Sequence, residues 1–466
     1  MCALTSWLMM DPVGALRAIV GEAAVLAGDA IEERYWHDEC LTIAPSPPAC
    51  VVLPESIGEL AQVVRWARSA RVALVARGAG TGLSGGAVCN PHQVCVSTER
   101  LAGVVDVDEL SQLALVSAGT SLQMLRAAVE PLGLRYTVSP GEDAASIGGT
   151  IATNAGGMRA VRYGTTRQNV LGARLVVGTG EVLELGGPLR KRSSGYDLLQ
   201  LVIGSEGTLG IVERAWVRLE PTAGAEALVV AHATSVSNAL ALLGPLHRLE
   251  PPASLIEYVD ASTLAALAAA RSLELGVPKD ALAGGAFVLV GLERIEPADI
   301  APAVERTGAL LADAGAQGVW VLEGAMAASL LRAREAAFWT VRALGARDVL
   351  DVVVPLSQAA AFLEEIRRLE AVLGVSLPAT GHVGDGNVHV SVLAPDAQTA
   401  ARATRAVVQA GLARGGAVSG EHGLGRAKLD AYTEAASAIE LGLARQLKRA
   451  FDPDGILAPG RVGTLG

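Results

Sequence analysis

Val72-Ala73-Leu74-Val75-Ala76-Arg77-Gly78-Ala79-Gly80-Thr81-Gly82-Leu83-Ser84-Gly85-Gly86 is an apolar run that breaks abruptly into glycine. Val72 to Ala76 reads as a buried strand. Glycines at 78, 80 and 82 leave no Cβ in the way, so successive N–H groups can face one point and form a nest for phosphate oxygens. Thr81 and Ser84 can add hydroxyl donors to the same anion. Neither common phosphate fingerprint is present: Leu83 stands at the third glycine position of G-x-G-x-x-G, and no G-x-x-x-x-G-K-[ST] occurs. Taken alone, such a loop reads as a flexible turn before it reads as a phosphate site. Upstream, Val51-Val52-Leu53 is a second short apolar run, closed by Pro54. Between the two runs, Ser56 and Glu59 make a capping box, and Leu60, Val63, Val64 and Ala67 follow helical spacing. A strand–helix–strand crossover of this kind predicts parallel pairing.

Downstream, residues 100–220 mix short β-rich runs with glycine turns. Leu175-Val176-Val177 and Val182-Leu183-Glu184-Leu185 flank Thr179-Gly180, a hairpin signal. Composition turns Ala-rich at Pro221-Thr222-Ala223-Gly224-Ala225, which predicts a boundary there. From about 225 to 420 strands and helices alternate. The expected strands are Ala227–Ala231, Ser254–Tyr258, Ala286–Val290, Val319–Leu322, Val349–Val354 and Ala417–Ser419, with helices near 236–248, 261–275, 301–315, 357–372 and 397–414. This order favours α+β units, read as two split βαβ modules joined in one sheet. No internal sequence repeat or low-complexity tract is present.

The 466 residues suffice for two or three domains with real cores. Net charge is −10, aromatics make up 3% and no Lys/Arg-rich run stands out, which argues against nucleic acid and anionic membrane surfaces as partners. No stretch of about eighteen uninterrupted apolar residues occurs, so no transmembrane helix is expected. The first residues, Met1 to Leu16, lack a basic start and are interrupted by Asp11 and Pro12, so they read as mature protein. Five cysteines, an odd number without C-x-x-C, predict reduced thiols in a cytoplasmic protein.

The chain has seven histidines, and three lie in two short segments: Gly381-His382-Val383-Gly384-Asp385-Gly386-Asn387-Val388-His389 and Gly420-Glu421-His422-Gly423. On one straight strand His382 and His389 would face opposite ways, but Asp385-Gly386 signals a turn that can fold them together. Two imidazoles and a carboxylate suit a divalent metal, zinc, manganese or iron, while His422 remains beside it to move a proton. Asp385 reads as a turn former rather than a ligand. Ordinary hydrogen-bonded histidines are the competing reading for either imidazole alone.

Eight segments in order carry a resemblance: RGAGTGLSGG (77–86), SIGGTIATNAGG (146–157), RYGTTR (162–167), SGYDL (194–198), GSEGTLGIV (204–212), GHVGDGNVH (381–389), SGEHGLG (419–425) and FDPDGILAPGR (451–461). Together they resemble the FAD enzymes of the vanillyl-alcohol-oxidase/p-cresol-methylhydroxylase type. The match is to the branch with the glycolate oxidase flavin subunit, D-lactate dehydrogenase and D-2-hydroxyglutarate dehydrogenase. It runs from about Tyr35 to Arg461. The resemblance implies a two-part FAD-binding domain (1–222), a substrate-binding α+β cap with ferredoxin-like units and the metal site (223–425), and a C-terminal helical segment returning to the FAD domain (426–466).

The same resemblance implies non-covalent FAD. Arg77, Gly78, Ala79, Gly80, Thr81, Gly82 and Ser84 would hold the pyrophosphate. Pro140, Gly141, Ser146, Gly148, Gly149, Asn154 and Gly156 would line the rest of the cofactor, with Glu206, Gly207, Gly210, Ile211 and Val212 near the adenine half. It implies His382, His389 and Glu421 as ligands of one divalent metal, His422 as base, and Arg334 as the anchor of a substrate carboxylate. A solvated helix arginine is the alternative for Arg334. The expected reaction takes a small D-2-hydroxy acid to its 2-oxo acid, with electrons passing to an external acceptor: a quinone, a cytochrome, an electron-transfer protein or a partner subunit. No NAD fingerprint is present. A homodimer is left open. Three departures from the hydroxyglutarate branch restrict the substrate: Phe338 replaces a threonine, Val349 a lysine, and Ser391 an asparagine on the substrate side. A distal carboxylate is therefore not expected. Near the end, Ala458-Pro459-Gly460-Arg461 replaces Asn-Pro-Gly-Lys. Competing readings are a flavin-carrying subunit of a larger glycolate oxidase, a flavin-free metal-dependent hydrolase, and a transferase like the alkyl-ether-lipid synthase.

Overall fold

The computed structural model describes residues 11–271 and 275–464, so the reading of the first ten residues, Cys2 included, lies outside it. The strand–helix–strand start is present as β1 (Cys50–Val52), α1 (Ile57–Ala70) and β2 (Ala73–Arg77), followed by β3 (Gln93–Ser97). Ser56 caps α1 by accepting the Glu59 N–H at 3.2 Å, and Glu59 in turn accepts the Glu55 N–H. The expected pairing needs one correction. β1 and β2 are parallel, but they are not neighbours, because β3 lies between them and pairs with both. The α1 crossover leaves one strand's width, and the run after the glycine loop fills it. Leu60, Val63, Val64 and Ala67 of α1 are buried against this sheet.

A second, antiparallel sheet follows: β4 (Val104–Asp108), β5 (Leu113–Ser117), β6 (Val170–Val176), β7 (Val182–Gly186) and β8 (Ile211–Arg218), in the order β4-β5-β8-β6-β7. The predicted hairpin is the β6–β7 pair. Helix α2 (Ile147–Thr153) lies between β5 and β6 in the chain, and its first turn is pinned by the Ser146 hydroxyl, which accepts the Gly149 N–H.

The cap holds one seven-stranded antiparallel sheet. Its first module consists of β9 (Ala225–Ala233), the short helices Val236–Ala241 and Leu243–Leu246, β10 (Leu255–Asp260), β11 (Ala286–Arg294), α3 (Ile300–Asp313) and β12 (Gly318–Leu322). Two helices that the sequence reading lacks come next, α4 (Gly324–Glu335) and α5 (Ala337–Ala343). The second module is β13 (Asp348–Val353), α6 (Ala359–Leu373), β14 (Ala379–Gly381), β15 (Asn387–Val392) and α7 (Ala397–Leu412). The strand order β12-β9-β11-β10-β14-β15-β13 is two split βαβ modules joined edge to edge where β10 meets β14. The expected strand at Ala417–Ser419 is reduced to a single bridge, Val353 with Ala417. Alternate residues of β9 enter opposite cores: Val229 and Ala231 face one, Leu228 and Val230 the other.

The last helix, α8 (Ala438–Phe451), leads the chain back to the first sheet. Leu74 of β2 donates to the Ile456 carbonyl and accepts the Ala458 N–H. Lys448 is buried, and its ammonium donates to the carbonyls of Thr208 and Leu457 and to Asp452. Arg461 is also buried and donates to the carbonyls of Gly86 and Val88, so the C-terminal segment clamps the far end of the glycine loop. Among the described residues, no helix is long and apolar enough to cross a membrane.

Candidate active site

Because β2 ends at Arg77 and the sheet does not continue, the glycine loop hangs over a cleft of about 1330 Å³. None of the backbone N–H groups from Gly78 to Gly86 has a protein acceptor among the described residues. Unpaired amides in a row at a cavity wall are what a polyanionic ligand would satisfy. Gly80 has φ +78°, and a Cβ there would strike the Arg77 guanidinium. Arg77 itself donates to the carbonyls of His37 and Arg34, so it braces the loop. The cleft is lined by Arg77, Gly78, Ala79, Gly80, Thr81, Gly82, Ser84, Pro140, Ser146, Gly148, Gly149, Glu206, Gly207, Gly210, Ile211 and Val212. Three of the expected cofactor residues fall elsewhere. Gly141 lines the neighbouring chamber. Asn154 caps α2 in the left-handed region, and its side-chain Oδ1 accepts from the Thr165 hydroxyl and the Arg167 N–H. Gly156 makes room for Glu421, whose Oε2 would sit 2.7 Å from any Cβ placed there.

The loop is tied directly to the turn that carries His422. Ser84 Oγ lies 3.1 Å from the His422 carbonyl and 3.0 Å from that of Gly423. The Ser84 carbonyl accepts the N–H groups of Arg426 and Ala427. Glu206, on the opposite wall, accepts the N–H groups of Leu424 and Gly425 at 2.7 Å each.

On the cap side, the turn at Asp385-Gly386 folds β14 back onto β15, as the sequence predicts, and Asp385 accepts the Asn387 N–H. His382 Nε2 and His389 Nε2 converge on Glu421 Oε1 at 3.0 and 3.3 Å. The donor atoms of all three lie within 4.8 Å of one another. Glu257, on β10 and fully buried, was not foreseen. Its Oε1 sits 2.7 Å from His382 Nδ1, so that ring N–H donates to it and Nε2 is left as the lone-pair face. Asp351, on β13 and equally buried, was also missed. Its Oδ2 accepts the N–H groups of Gly420, Glu421 and His422 at 2.9, 2.9 and 2.8 Å and the Ser419 hydroxyl at 2.7 Å. One carboxylate thus shapes the whole turn that presents Glu421 and His422.

The electrostatics favour a cation at this point. Burial penalises charge on His382 and on Glu421, yet the neighbouring opposite charges outweigh it. Glu257 and Glu421 hold the imidazole well above its usual pKa, and His382 and His389 hold the Glu421 carboxyl well below its own. His422 goes the other way: burial drives its imidazole down to about 4, against the pull of Asp351. Burial also raises Asp385, to about 6. Two imidazole nitrogens, one of them on a histidine oriented by Glu257, and the Glu421 carboxylate fit a divalent metal.

A second chamber of about 690 Å³ adjoins the cleft, and Leu83, Pro140, Glu421 and His422 line both. Arg334 lies in its wall, buried on α4, with Nη2 2.9 Å from Glu257 Oε2. The pairing is skewed, and Arg334 Nε and Nη2 are buried without a hydrogen-bond acceptor. Ser391, Thr380 and Thr263 add hydroxyls, and the Thr263 hydroxyl is buried and unpaired. Ala337, Phe338, Val341 and Val349 give the chamber an apolar lining.

Comparison with known proteins agrees with this architecture. Residues 48–186 match the family described as FAD binding domain, and residues 223–462 the family of FAD linked oxidases, C-terminal domain. The chain is 41% identical to an uncharacterised FAD-linked oxidoreductase of Mycobacterium tuberculosis over 97% of this chain and 99% of that one. It is 35% identical to a D-2-hydroxyglutarate dehydrogenase of Xanthomonas citri (97% of each chain) and 32% identical to a D-lactate dehydrogenase of Anaerostipes hadrus (94% of each). Its fold is similar to that of p-cresol methylhydroxylase, with a TM-score of 0.80 at 17% identity over 97% of this chain and 96% of that one. The flavin-free reading therefore falls, and the chain is a member of the FAD-linked oxidase family, an FAD-linked oxidoreductase with the two-domain fold of p-cresol methylhydroxylase.

Proposed function

We propose that this chain is a dehydrogenase that oxidises a D-2-hydroxy acid with a small or apolar side chain, D-lactate-like or glycolate-like, to the 2-oxo acid. One observation carries the reading. Glu421 and His422 line both the flavin cleft and the second chamber, and His382 and His389 line the chamber within 4.8 Å of Glu421. FAD would be held by the glycine loop and the cleft residues named above, and a zinc, manganese or iron ion by His382, His389 and Glu421. When bound, the flavin supplies a hydride acceptor and the ion supplies Lewis acidity that eases loss of a hydroxyl proton.

The chain's own groups do the rest. His422 accepts the proton of the substrate C2 hydroxyl. Arg334, whose Nε lacks an acceptor and whose Nη2 pairs with Glu257 without a well-aligned hydrogen bond, offers its guanidinium to the substrate carboxylate, in the fork geometry that suits one. Ser391 donates from the polar side of the chamber. Phe338, Val341 and Val349 receive the substrate side chain and keep water from it. Apart from histidines, Arg334 is the one cationic side chain lining this chamber among the described residues, which supports a substrate with a single carboxylate.

The test is anaerobic mixing of the yellow holoprotein with matched D- and L-2-hydroxy acids, read as bleaching of the flavin band. Bleaching by D-lactate or a D-acid with an apolar side chain is expected. A preference for L-acids, or for a dicarboxylic acid, would overturn the assignment.

A further inference from the structure

Thr263 is a polar residue of the second chamber that the reaction above does not use. It belongs to the helix Ala261–Arg271, which begins where β10 ends at Asp260. The residue is only 5% exposed, and its hydroxyl is buried with no hydrogen-bond partner among the described residues. A threonine inside a helix can bond back to the carbonyl four residues earlier. Thr307 does so on Ala303 at 2.8 Å, and Thr340 on Ala336 at 3.3 Å. Thr263 stands in the first turn, so the residue four back is Val259, which lies in β10 and offers no helical carbonyl. The carboxylate of Asp260 is already occupied. It accepts from the Tyr258 hydroxyl and the Ala379 N–H at 2.6 Å each, and it pairs with Arg367.

This unpaired hydroxyl lies in the same part of the molecule as an unpaired cationic donor. Leu264, the next residue on the helix, is buried in one cluster with Ala327 and Leu330 of α4, the helix that carries Arg334. Arg334 lines the same chamber, and its Nε has no acceptor. A buried donor without an acceptor is a cost that the folded chain carries until a ligand removes it. Two such donors on one chamber, one cationic and one neutral, suit an anion with two acceptor oxygens. Phe338, Val341 and Val349 offer such an anion nothing, which leaves them to the other end of the substrate.

We propose that Thr263 is a specificity-determining residue whose hydroxyl donates to one carboxylate oxygen of the substrate, beside Arg334 Nε. The proposal rests on the dehydrogenase reading and extends it to the orientation of the acid. The carboxylate lies where the helix Ala261–Arg271 meets α4, and the side chain lies against Phe338, Val341 and Val349. The substrate is therefore a free acid. A 2-hydroxy amide presents one acceptor oxygen in place of two and leaves one of the two donors unpaired.

The experiment uses the oxidised holoprotein of wild type, Thr263→Val and Thr263→Ser. Val keeps the shape and removes the hydroxyl, whereas Ser keeps the hydroxyl and removes the methyl group. Calorimetric titration with pyruvate, the 2-oxo acid of D-lactate, reads carboxylate binding without turnover. Affinity should fall about tenfold in Thr263→Val, a shift of roughly 1.4 kcal/mol, and stay within about threefold of wild type in Thr263→Ser. The KM for D-lactate should rise by the same factor in Thr263→Val with kcat within about twofold, the pattern of a contact equal in ground and transition states. Without ligand, Thr263→Val should melt no lower than wild type, because no bond within the protein has been removed. A purely structural role would instead lower the melting temperature. The proposal is overturned if pyruvate does not bind wild type, if Thr263→Val binds it equally well, if Thr263→Ser weakens as much as Thr263→Val, or if unliganded Thr263→Val is destabilised. Absence of bleaching by every D-acid would instead sink the dehydrogenase reading, while the pyruvate titration would still decide the role of Thr263.

Discussion

The two modules of the cap sheet share a topology and differ in their fourth strand. In the first module, β12 lies along β9 with paired residues from Leu228–Leu322 to His232–Gly318, so its amides bond to backbone. In the second, the equivalent chain makes one bridge at Ala417 and then leaves the sheet. Its next amides, from Gly420 to His422, bond to the side chain of Asp351. A buried carboxylate has replaced a strand as the hydrogen-bond acceptor. The complete module is held by a ladder that fixes side chains alternately up and down. The truncated one is free of that alternation, so the consecutive residues Glu421 and His422 can both serve one site. The proposed chemistry falls where the ladder was given up.

If that contrast is right, the largest loss should come from the turn's own proton acceptor. His422→Ala should lower turnover by about 10²- to 10⁴-fold, the range for loss of a general base, with FAD and metal content unchanged. Steady-state turnover, flavin absorbance and metal analysis on one preparation check this, and retained turnover would remove His422 from its assigned role. Asp351→Asn should come next. Asp351 carries Lys428 3.6 Å away as well as the three amides, the Ser419 hydroxyl and Asn387. Removing its charge should cost about 3 kcal/mol of stability, as for other broken buried charge networks, and should also loosen metal binding. Urea unfolding, with metal analysis before and after dialysis, reads both effects. A fully metallated Asp351→Asn protein of wild-type stability would mean that the turn holds its shape without the carboxylate. Glu257→Gln should be milder still: Gln keeps the shape and can still accept from His382 Nδ1. Metal affinity should fall about 10- to 100-fold, as is usual when such a partner is lost, with the fold intact. Competition against a graded series of chelators measures this.

Much of this contrast was legible in the sequence. The alternation from 225 to 420 gave both modules, and the scarcity of histidine marked His382, His389 and His422. What was not legible has physical causes. β3 falls between β1 and β2 because of long-range packing that no local pattern encodes. α4 and α5 were missed because α4 buries Ala327, Leu330 and Ala333 together with Arg334, so a charge interrupts its apolar stripe. Glycine spacing announces room but not for what: the resemblance implies Gly156 beside the cofactor, and a Cβ there would also strike Glu421. A signal did exist for the two missed carboxylates. Glu257 in Leu255-Ile256-Glu257-Tyr258-Val259 and Asp351 in Val349-Leu350-Asp351-Val352-Val353 are charges in the middle of buried strands, flanked by apolar residues, and such a charge persists only when it has partners.

The smallest expected effect is the control that the comparison needs. Val321 sits in β12, opposite Val229, with its side chain 44% exposed. Val321→Thr keeps the β-branch, and hence the strand preference, and leaves the backbone ladder untouched. Stability should move by no more than about 0.5 kcal/mol, as for most exposed substitutions. Metal content and flavin bleaching should not move at all, because the ladder, not the side chain, holds that edge. Loss of metal in this variant would show that strain in the complete module reaches the other across the β10–β14 seam. Glu257 and the turn at Asp351 would then have to be treated as one mechanical unit instead of two independent supports of the same site.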